Sequence, residues 1–193
     1  MAQLPFDPSK AVTFDLAHGR VQLDESPACV LIPAPALAGL VGAVSREGRA
    51  ALARSLGEPL GRRVARRLGN AEGSLGASID TMVDHLGGEF AIVGLGSLSL
   101  ERWGRALLFV CDHSPFGAEG DELLAELLDA ALEGATGRPV RCVPLMRDGT
   151  RVRLLAANER ASGRVRAWLG EGLGWGEVLA RLHAGVREER GVA

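Results

Sequence analysis

The predicted architecture follows from residues 91–111, which read AIVGLGSLSLERWGRALLFVC. After an apolar start, Leu98 and Leu100 alternate with serines, as is typical of a strand with one buried face. The end of the stretch is apolar at every position, which indicates a strand that is covered on both faces. We therefore predict two antiparallel strands, Ala91–Leu100 and Ala106–Cys111, joined by a charged turn.

A second hairpin is predicted on the C-terminal side. Its strands are Val140–Leu145 and Arg151–Leu155, and the Asp-Gly pair at 148–149 is favoured in tight hairpin turns. An amphipathic helix over Asp121–Glu133 separates the two hairpins. This order predicts an α+β fold in which an antiparallel sheet packs against a helical layer.

Two more helices are predicted on the N-terminal side. Apolar residues recur every four positions through Glu47–Leu68, while the arginines of that segment largely occupy other faces. Pro59 lies inside this helix and predicts a kink or a break. Ser78 is a good N-cap for a further helix from Ile79 to about Phe90.

Glycines mark two places where the backbone is expected to be unusual. Gly57 and Gly61 share one face of the long helix, so another backbone can approach there, although chance or simple packing also explains the spacing. Gly94 and Gly96 lack the third glycine and the following helix of a dinucleotide-binding fingerprint. They predict a bulge or a close backbone approach within a strand.

The chain divides into three parts. Residues 1–10 are polar, carry two prolines and are expected to form a flexible arm. Residues 11–157 are predicted to form a single α+β domain, which starts with an extra N-terminal hairpin. Residues 158–193 are predicted to be a helical C-terminal extension, whose apolar stripe includes Trp168 and Trp175. That stripe is expected to be either core or a surface for an oligomer or a partner.

Composition argues against two classes of protein. The formal net charge of the 193 residues is −2 and the chain has no tyrosine, so the basic surface and stacking aromatics of a nucleic-acid-binding protein are not expected. No apolar run approaches the ~20 residues of a membrane span, and the N-terminus shows no apolar signal region. We therefore expect a cytoplasmic protein without membrane insertion.

The residues that carry chemistry are scattered. Cys29, Cys111 and Cys142 are widely spaced, and the histidines lie far apart in sequence, so we expect neither a metal nor another cofactor. Cys111 and His113 share one face of a strand and are the best candidates for an activated nucleophile, although the pattern favours a buried cysteine at a strand end. His85 is expected on a helix surface or at a pocket edge.

From about residue 47 to residue 155 the chain resembles the vinyl-4-reductase-type ligand-binding domain, which is related to small TRAPP vesicle-tethering subunits. The resemblance is carried by helices, strands and glycines in matching order: Leu52–Leu68 ending in Gly69, Phe90–Gly96, Leu107–Val110 leading to Ser114-Pro115-Phe116, and Leu123–Leu132 running into Thr136–Val140. It implies a TRAPP-subunit-like fold and a homodimer, with an apolar cavity between helices and sheet that senses a small hydrophobic molecule or tethers another protein. Many ligand-sensing members carry a cysteine-rich metal site near the last hairpin. This chain has no cysteine after Cys142, so the metal is not carried over.

The same region is also similar to the D-type accessory subunits of cellulose synthase. The similar stretches are Leu86–Glu101, the loop Ser114–Gly120 and the helix end Leu132–Arg138. This second resemblance implies a non-catalytic oligomer that organises export of a polysaccharide. The N-terminal hairpin and the tryptophan-containing tail depart from that pattern.

The leading hypothesis is a non-catalytic, homo-oligomeric binding module with a regulatory or adaptor role. It would hold a small hydrophobic ligand or a partner protein. The alternatives are a structural assembly subunit, as the second resemblance implies, and a small hydrolase or transferase that uses Cys111 and His113. The expected pocket or interface residues are apolar and come from the predicted helices, strands and tail: Leu56, Leu60, Val64, Met82, Phe90, Phe109, Phe116, Trp168 and Trp175.

Overall fold

The computed structural model describes residues 6–23, 28–69 and 76–191. These residues form seven strands and six α-helices. The strands are β1 (Val12–Asp15), β2 (Arg20–Leu23), β3 (Ala28–Cys29), β4 (Ser97–Trp103), β5 (Ala106–Asp112), β6 (Arg141–Asp148) and β7 (Arg151–Ala157). The helices are α1 (Ala34–Ala43), α2 (Arg46–Arg67), α3 (Ile79–Ile92), α4 (Asp121–Thr136), α5 (Glu159–Gly170) and α6 (Trp175–Gly191).

The larger sheet is antiparallel, with the strand order β4-β5-β7-β6. Successive side chains of a strand point to opposite faces, so the central strand β5 contributes to two separate cores. Phe109 packs with α2, α3 and α4 on one face, and Leu108 packs with α5 and α6 on the other. The nearly continuous apolar run of β5 is thereby explained, and the predicted α+β architecture with a helical tail is confirmed.

The helix–helix contact of α2 with α4 is unusually close. A Cβ atom added at Gly57 or Gly61 would overlap the carbonyl oxygens of Leu127 or Ala131, respectively. Any side chain at these positions would therefore push the two helices apart. The glycine spacing thus reflects a close approach of the two helix backbones. Of the kink or break predicted at Pro59, the break is wrong, because α2 is one continuous helix. The kink stays a prediction.

The strand predicted to begin at Ala91 was wrong at its start. The helix α3 continues to Ile92, and β4 begins only at Ser97. A short apolar run is compatible with a helix as well as a strand, and here its first residues are helical. Gly94 and Gly96 have φ angles of 75° and 105°, which glycine tolerates, so they form the turn between the two elements and not a bulge within a strand. The predicted close backbone approach is present at Gly96, where an added Cβ would overlap the Asp112 carbonyl oxygen.

The N-terminal hairpin is present, and β3 adds to it as a third strand in the order β1-β2-β3. It leaves large apolar side chains exposed, among them Leu16 (86%) and, just beyond β3, Leu31 (74%). Residues 1–5 of the expected flexible arm lie outside the described residues. Of the rest, Pro8–Lys10 form a short 3-10 turn that Asp7 caps.

Candidate functional site

A buried ionic cluster lies between α2 and α3. The carboxylate of Glu89 is 1% exposed and accepts a hydrogen bond from Arg63 Nε at 2.7 Å. Arg67 Nη1 donates to the other oxygen of Glu89. Both carboxylate oxygens are therefore paired, which is the condition for keeping a charge in a low-dielectric interior.

Helical spacing brings these groups together. Arg63 and Arg67 are four residues apart on α2, and His85 and Glu89 are four residues apart on α3, so each pair shares one helix face. His85 is only 5% exposed, and its Nδ1 atom has no hydrogen-bond partner among the described residues. A buried polar atom of this kind is uncommon and calls for an explanation.

The ring of Phe6 lies against this cluster. The guanidinium carbon of Arg67 is 4.9 Å from the ring centroid, within the range of a cation–π contact. The His85 ring meets Phe6 edge-on, with centroids 6.2 Å apart and an interplanar angle of 83°. The Phe6 N–H is directed to Asp84 Oδ2 at 3.5 Å.

Two adjacent glycines of α3 leave space for neighbouring groups, Gly87 for the backbone of β4 and Gly88 for the Phe6 ring. A Cβ at Gly87 would stand 2.9 Å from the Leu98 carbonyl oxygen, and one at Gly88 would overlap the Phe6 ring. Each glycine costs a helix about 1 kcal/mol relative to alanine, so their presence is consistent with these two close contacts. Gly87 lets β4 approach the helix, and Gly88 leaves a slot for the ring.

An open groove of about 530 Å³ adjoins the slot. It lies between the arm, one face of α3 and the start of β4, and its lining is Phe6, Pro8, Asp84, Gly87, Gly88, Ala91, Ile92, Ser97 and Leu98. Its size is within the range of small-molecule sites. The slot and the groove share Phe6 and Gly88, so together they form one candidate site.

The residues expected to line a pocket mostly lie in the core. Leu60, Val64, Phe90, Phe109 and Phe116 are buried together beneath the sheet, and Met82 packs against them. Leu56 is 37% exposed and lies apart from that cluster. Trp168 and Trp175 pack on the opposite face of the sheet, where Trp175 makes an edge-on contact with Trp103. For all nine of these residues, a role in binding stays a prediction.

The environment of Cys111 does not activate its thiol as a nucleophile. Cys111 is fully buried and its thiol donates to the Leu95 carbonyl oxygen at 3.3 Å, whereas His113 is exposed. Burial, with a smaller contribution from the Asp112 charge, raises the pKa of the Cys111 thiol to about 11. An activated cysteine needs the opposite shift, so the geometry argues against the hydrolase or transferase hypothesis.

The described residues form neither a metal-ligand cluster nor a membrane-spanning helix. Within the described ranges, no three histidine, cysteine, aspartate or glutamate side chains are grouped so that they could hold a metal ion. No helix in that part of the chain has the length and apolar character needed to cross a membrane.

Sequence reasoning did not find the ionic cluster or the slot. The arginines of α2 were assigned to faces away from the apolar stripe, but Arg63 is 4% exposed. A usable signal was present in α3, where Glu89 stands next to Phe90 and three residues after Leu86. A carboxylate in such an apolar setting requires a cation, and Arg63 and Arg67 supply one at matching helical spacing.

Comparison with known proteins leaves the chain without an assigned family. No family model matches it, and no curated protein matches it either. Among solved structures, its fold is similar to the phenol-responsive sensory domain of the transcription activator PoxR, solved with phenol. The TM-score is 0.55 at 17% identity, over 77% of this chain and 85% of that one. The fold is thus one that is also found in a ligand-binding sensory domain.

Proposed function

We propose that this chain is a non-catalytic binding module that holds a small hydrophobic molecule and serves a regulatory or adaptor role. The observation that carries the proposal is the groove of about 530 Å³ beside α3, which adjoins a slot already filled by an aromatic ring. The shared fold with a sensory domain that binds phenol supports the same function. The resemblance to vinyl-4-reductase-type domains, which implies an apolar ligand cavity, is in line with this proposal.

The groove has the composition of a small-molecule site. Ala91, Ile92 and Leu98 supply apolar surface, and Asp84 and Ser97 supply polar atoms at its rim. Apolar contact of this kind provides affinity, and a few polar groups fix the orientation of a ligand. Catalysis is not part of the proposal, because the thiol with the best catalytic spacing is buried and protonated at neutral pH.

Self-association is the second part of the proposal. Leu16, Val30 and Leu31 are each more than 70% exposed, on or just after the N-terminal sheet. Large apolar side chains with this much exposure, when they lie together, mark interaction sites in soluble proteins. We propose that a second copy of the chain covers it, which gives a homodimer.

Native mass spectrometry of the purified protein, under gentle and then activating conditions, tests both parts. We expect a dimer carrying extra mass that leaves on activation, and we expect Leu31→Asp to give monomers. A ligand-free tetramer or larger ring would contradict the proposal. It would favour the structural assembly role that the resemblance to cellulose synthase accessory proteins implies.

A groove-filling variant tests the location. Ala91 is exposed and lines the groove, so Ala91→Trp should fill it and weaken binding of the released ligand at least about tenfold, a change of ~1.4 kcal/mol. Ala180→Trp is the matched control, because Ala180 is exposed on α6 beside the other core. Equal affinity in the two variants would place the ligand elsewhere.

A further inference from the structure

The Phe6 ring occupies the slot in the way that the ring of a bound ligand could. It comes from the N-terminal arm, while the walls of the slot come from α2 and α3. Arg67 lies near the ring face, His85 meets the ring edge-on, and Gly88 leaves the space that a Cβ would occupy. A positive charge near a ring face and an edge-on neighbour are the contacts that favour any aromatic ring.

Phe6 is the least exposed of residues 6–9. Phe6 is half-buried, whereas Asp7, Pro8 and Ser9 are exposed. Asp7 is directed to its own turn, where it accepts from the N–H and hydroxyl of Ser9. The one long-range hydrogen bond described for Phe6 is the 3.5 Å contact with Asp84 at the surface. Among residues 6–9, the ring of Phe6 is therefore the part that packs most deeply against α3.

The His85 ring, which contacts Phe6, has one polar atom that Phe6 does not pair with. His85 Nδ1 is buried without a hydrogen-bond partner among the described residues, and a phenylalanine ring offers it none. A hydroxyl group can either donate to this atom or accept from it, whichever tautomer is present. The Glu89 carboxylate needs no further charge, since Arg63 and Arg67 pair with both its oxygens. These features favour a neutral, hydroxyl-bearing aromatic ligand.

We infer that Phe6 is a built-in competitor for the ligand site. Its ring holds the position that the ring of a hydroxyl-bearing aromatic ligand takes, so ligand binding releases the N-terminal arm, and the arm in turn lowers the apparent affinity. The inference rests on the proposed function and adds to it a ligand class and a means of regulation.

The sequence supplies a selective readout of arm release. Lys10 is the only lysine in the chain, so a lysine-specific protease has one cleavage site, at the end of the arm. Lys10 ends the 3-10 turn that follows Phe6. A protease needs an extended segment, so the cleavage rate reports how often the segment around Lys10 and the buried Ala11 opens, and the Phe6 variants show how far the ring controls that opening.

Cleavage of the full chain is measured first without a ligand. Phe6→Ala removes the ring and Gly88→Ala blocks its slot, so we expect both to raise the cleavage rate about tenfold, which corresponds to ~1.4 kcal/mol. The controls are Phe14→Ala, at an exposed phenylalanine of β1, and Gly163→Ala, where an added Cβ meets open space. Both controls should be cleaved at the wild-type rate. Phe6→Ala cleaved at the wild-type rate would overturn the inference.

The probes are benzyl alcohol and ethylbenzene, which have nearly the same size and differ in the hydroxyl group. We expect benzyl alcohol to raise wild-type cleavage to the rate of Phe6→Ala and to bind Phe6→Ala about tenfold more tightly than wild type. Gly88→Ala should not bind it. His85→Phe should remove the preference for benzyl alcohol over ethylbenzene. A preference that persists in His85→Phe would overturn the assignment of the hydroxyl site.

The two proposals fail in different ways. Binding of a co-purified ligand that Ala91→Trp weakens, with a cleavage rate that saturating benzyl alcohol leaves unchanged, would uphold the groove and overturn the competitor role of Phe6. Equal binding of benzyl alcohol and ethylbenzene to Phe6→Ala would show that the slot is only a hole left by a packed ring, and it would also overturn the inference.

Discussion

Arg63 donates from Nε to Glu89 Oε2 at 2.7 Å although the two residues are 26 positions apart in sequence. Both side chains are almost completely buried. The pair joins α2 to α3 beside the slot, and Arg67 donates to the other oxygen of Glu89. Removing Arg63 leaves one oxygen of the buried Glu89 carboxylate without its hydrogen bond and the charge with only the partly exposed Arg67, which costs much more than the ion pair contributes when it is complete.

Arg63→Met should therefore destabilise the protein by about 3–5 kcal/mol. The matched control is its neighbour Arg62→Met, because Arg62 forms an exposed i,i+4 pair with Glu58 that is worth about 0–1 kcal/mol. The free energy of unfolding, measured with urea, distinguishes the two variants. A loss in Arg63→Met no larger than that in Arg62→Met would show that Arg67 alone is enough to pair the buried Glu89 carboxylate.

Gly61→Ala should weaken the contact between α2 and α4. The new methyl group would overlap the Ala131 carbonyl oxygen, and backbone atoms can move away only if the helices separate. We expect a loss of about 1–3 kcal/mol in thermal or urea unfolding, in spite of the better helix propensity of alanine. Gly163→Ala, at an open position of α5, should be neutral or slightly stabilising. Equal stability of the two variants would contradict the close approach.

Asp129 should make stability depend on pH. It lies on α4, it is 13% exposed, and burial raises the pKa of its carboxyl to about 6 even though its Oδ1 accepts from the Cys142 N–H at 2.5 Å. Its pKa in the unfolded chain is about 3.9. Between these values the folded state holds the extra proton, so stability falls as the pH rises from about 4 to about 6.

Asp129→Asn keeps the acceptor for the Cys142 N–H and removes the titration. We expect this variant to lose the pH dependence and to be more stable than wild type at pH 7 by up to about 3 kcal/mol. Unfolding free energies at pH 4.5 and 7 measure both effects, with the exposed Asp148→Asn as control. An unchanged pH profile in Asp129→Asn would show that the carboxyl is ionised in the folded protein across this range.

The three thiols should differ in reactivity. Burial raises the pKa of Cys111 to about 11 and that of Cys142 well above its usual value, while Cys29 is half-buried. At pH 8 we expect a disulfide reagent such as dithionitrobenzoate to modify Cys29 first. Cys111 should react at least about 100-fold more slowly than an exposed thiol, because each pKa unit lowers the thiolate fraction tenfold.

Cysteine-to-serine variants assign that reaction. Cys29→Ser should remove the fast phase, and Cys111→Ser should leave it unchanged. A fast phase that disappears in Cys111→Ser would restore the nucleophile hypothesis.

The main elements of the fold were predictable where local patterns are strong. The long apolar repeat of α2, the N-cap Ser78 and the apolar run of β5 each specify an element through short-range physics. The segment from Ala91 to Gly96 was not predictable in this way, since its apolar residues suit either a helix or a strand. There the burial of Phe90 and Leu95 and the close packing of α3 on β4 made the choice.

The candidate site was much less accessible to sequence reasoning than the fold. Phe6 belongs to a segment expected to be flexible, and nothing in its neighbours indicates that its ring packs on residues more than 60 positions away. Arg63 and Glu89 can be matched by charge and helical spacing only after α2 and α3 are known to be neighbours.

The sequence by itself determined the α+β class, the order of the helices and hairpins, and the scarcity of catalytic groups, because periodicity, caps and composition act over a few residues. Tertiary structure alone decided that Gly57 and Gly61 meet a helix backbone, that Glu89 is neutralised by two arginines, and that Phe6 fills a slot at Gly88. These features depend on which distant surfaces meet, and that is set by the packing of the whole core.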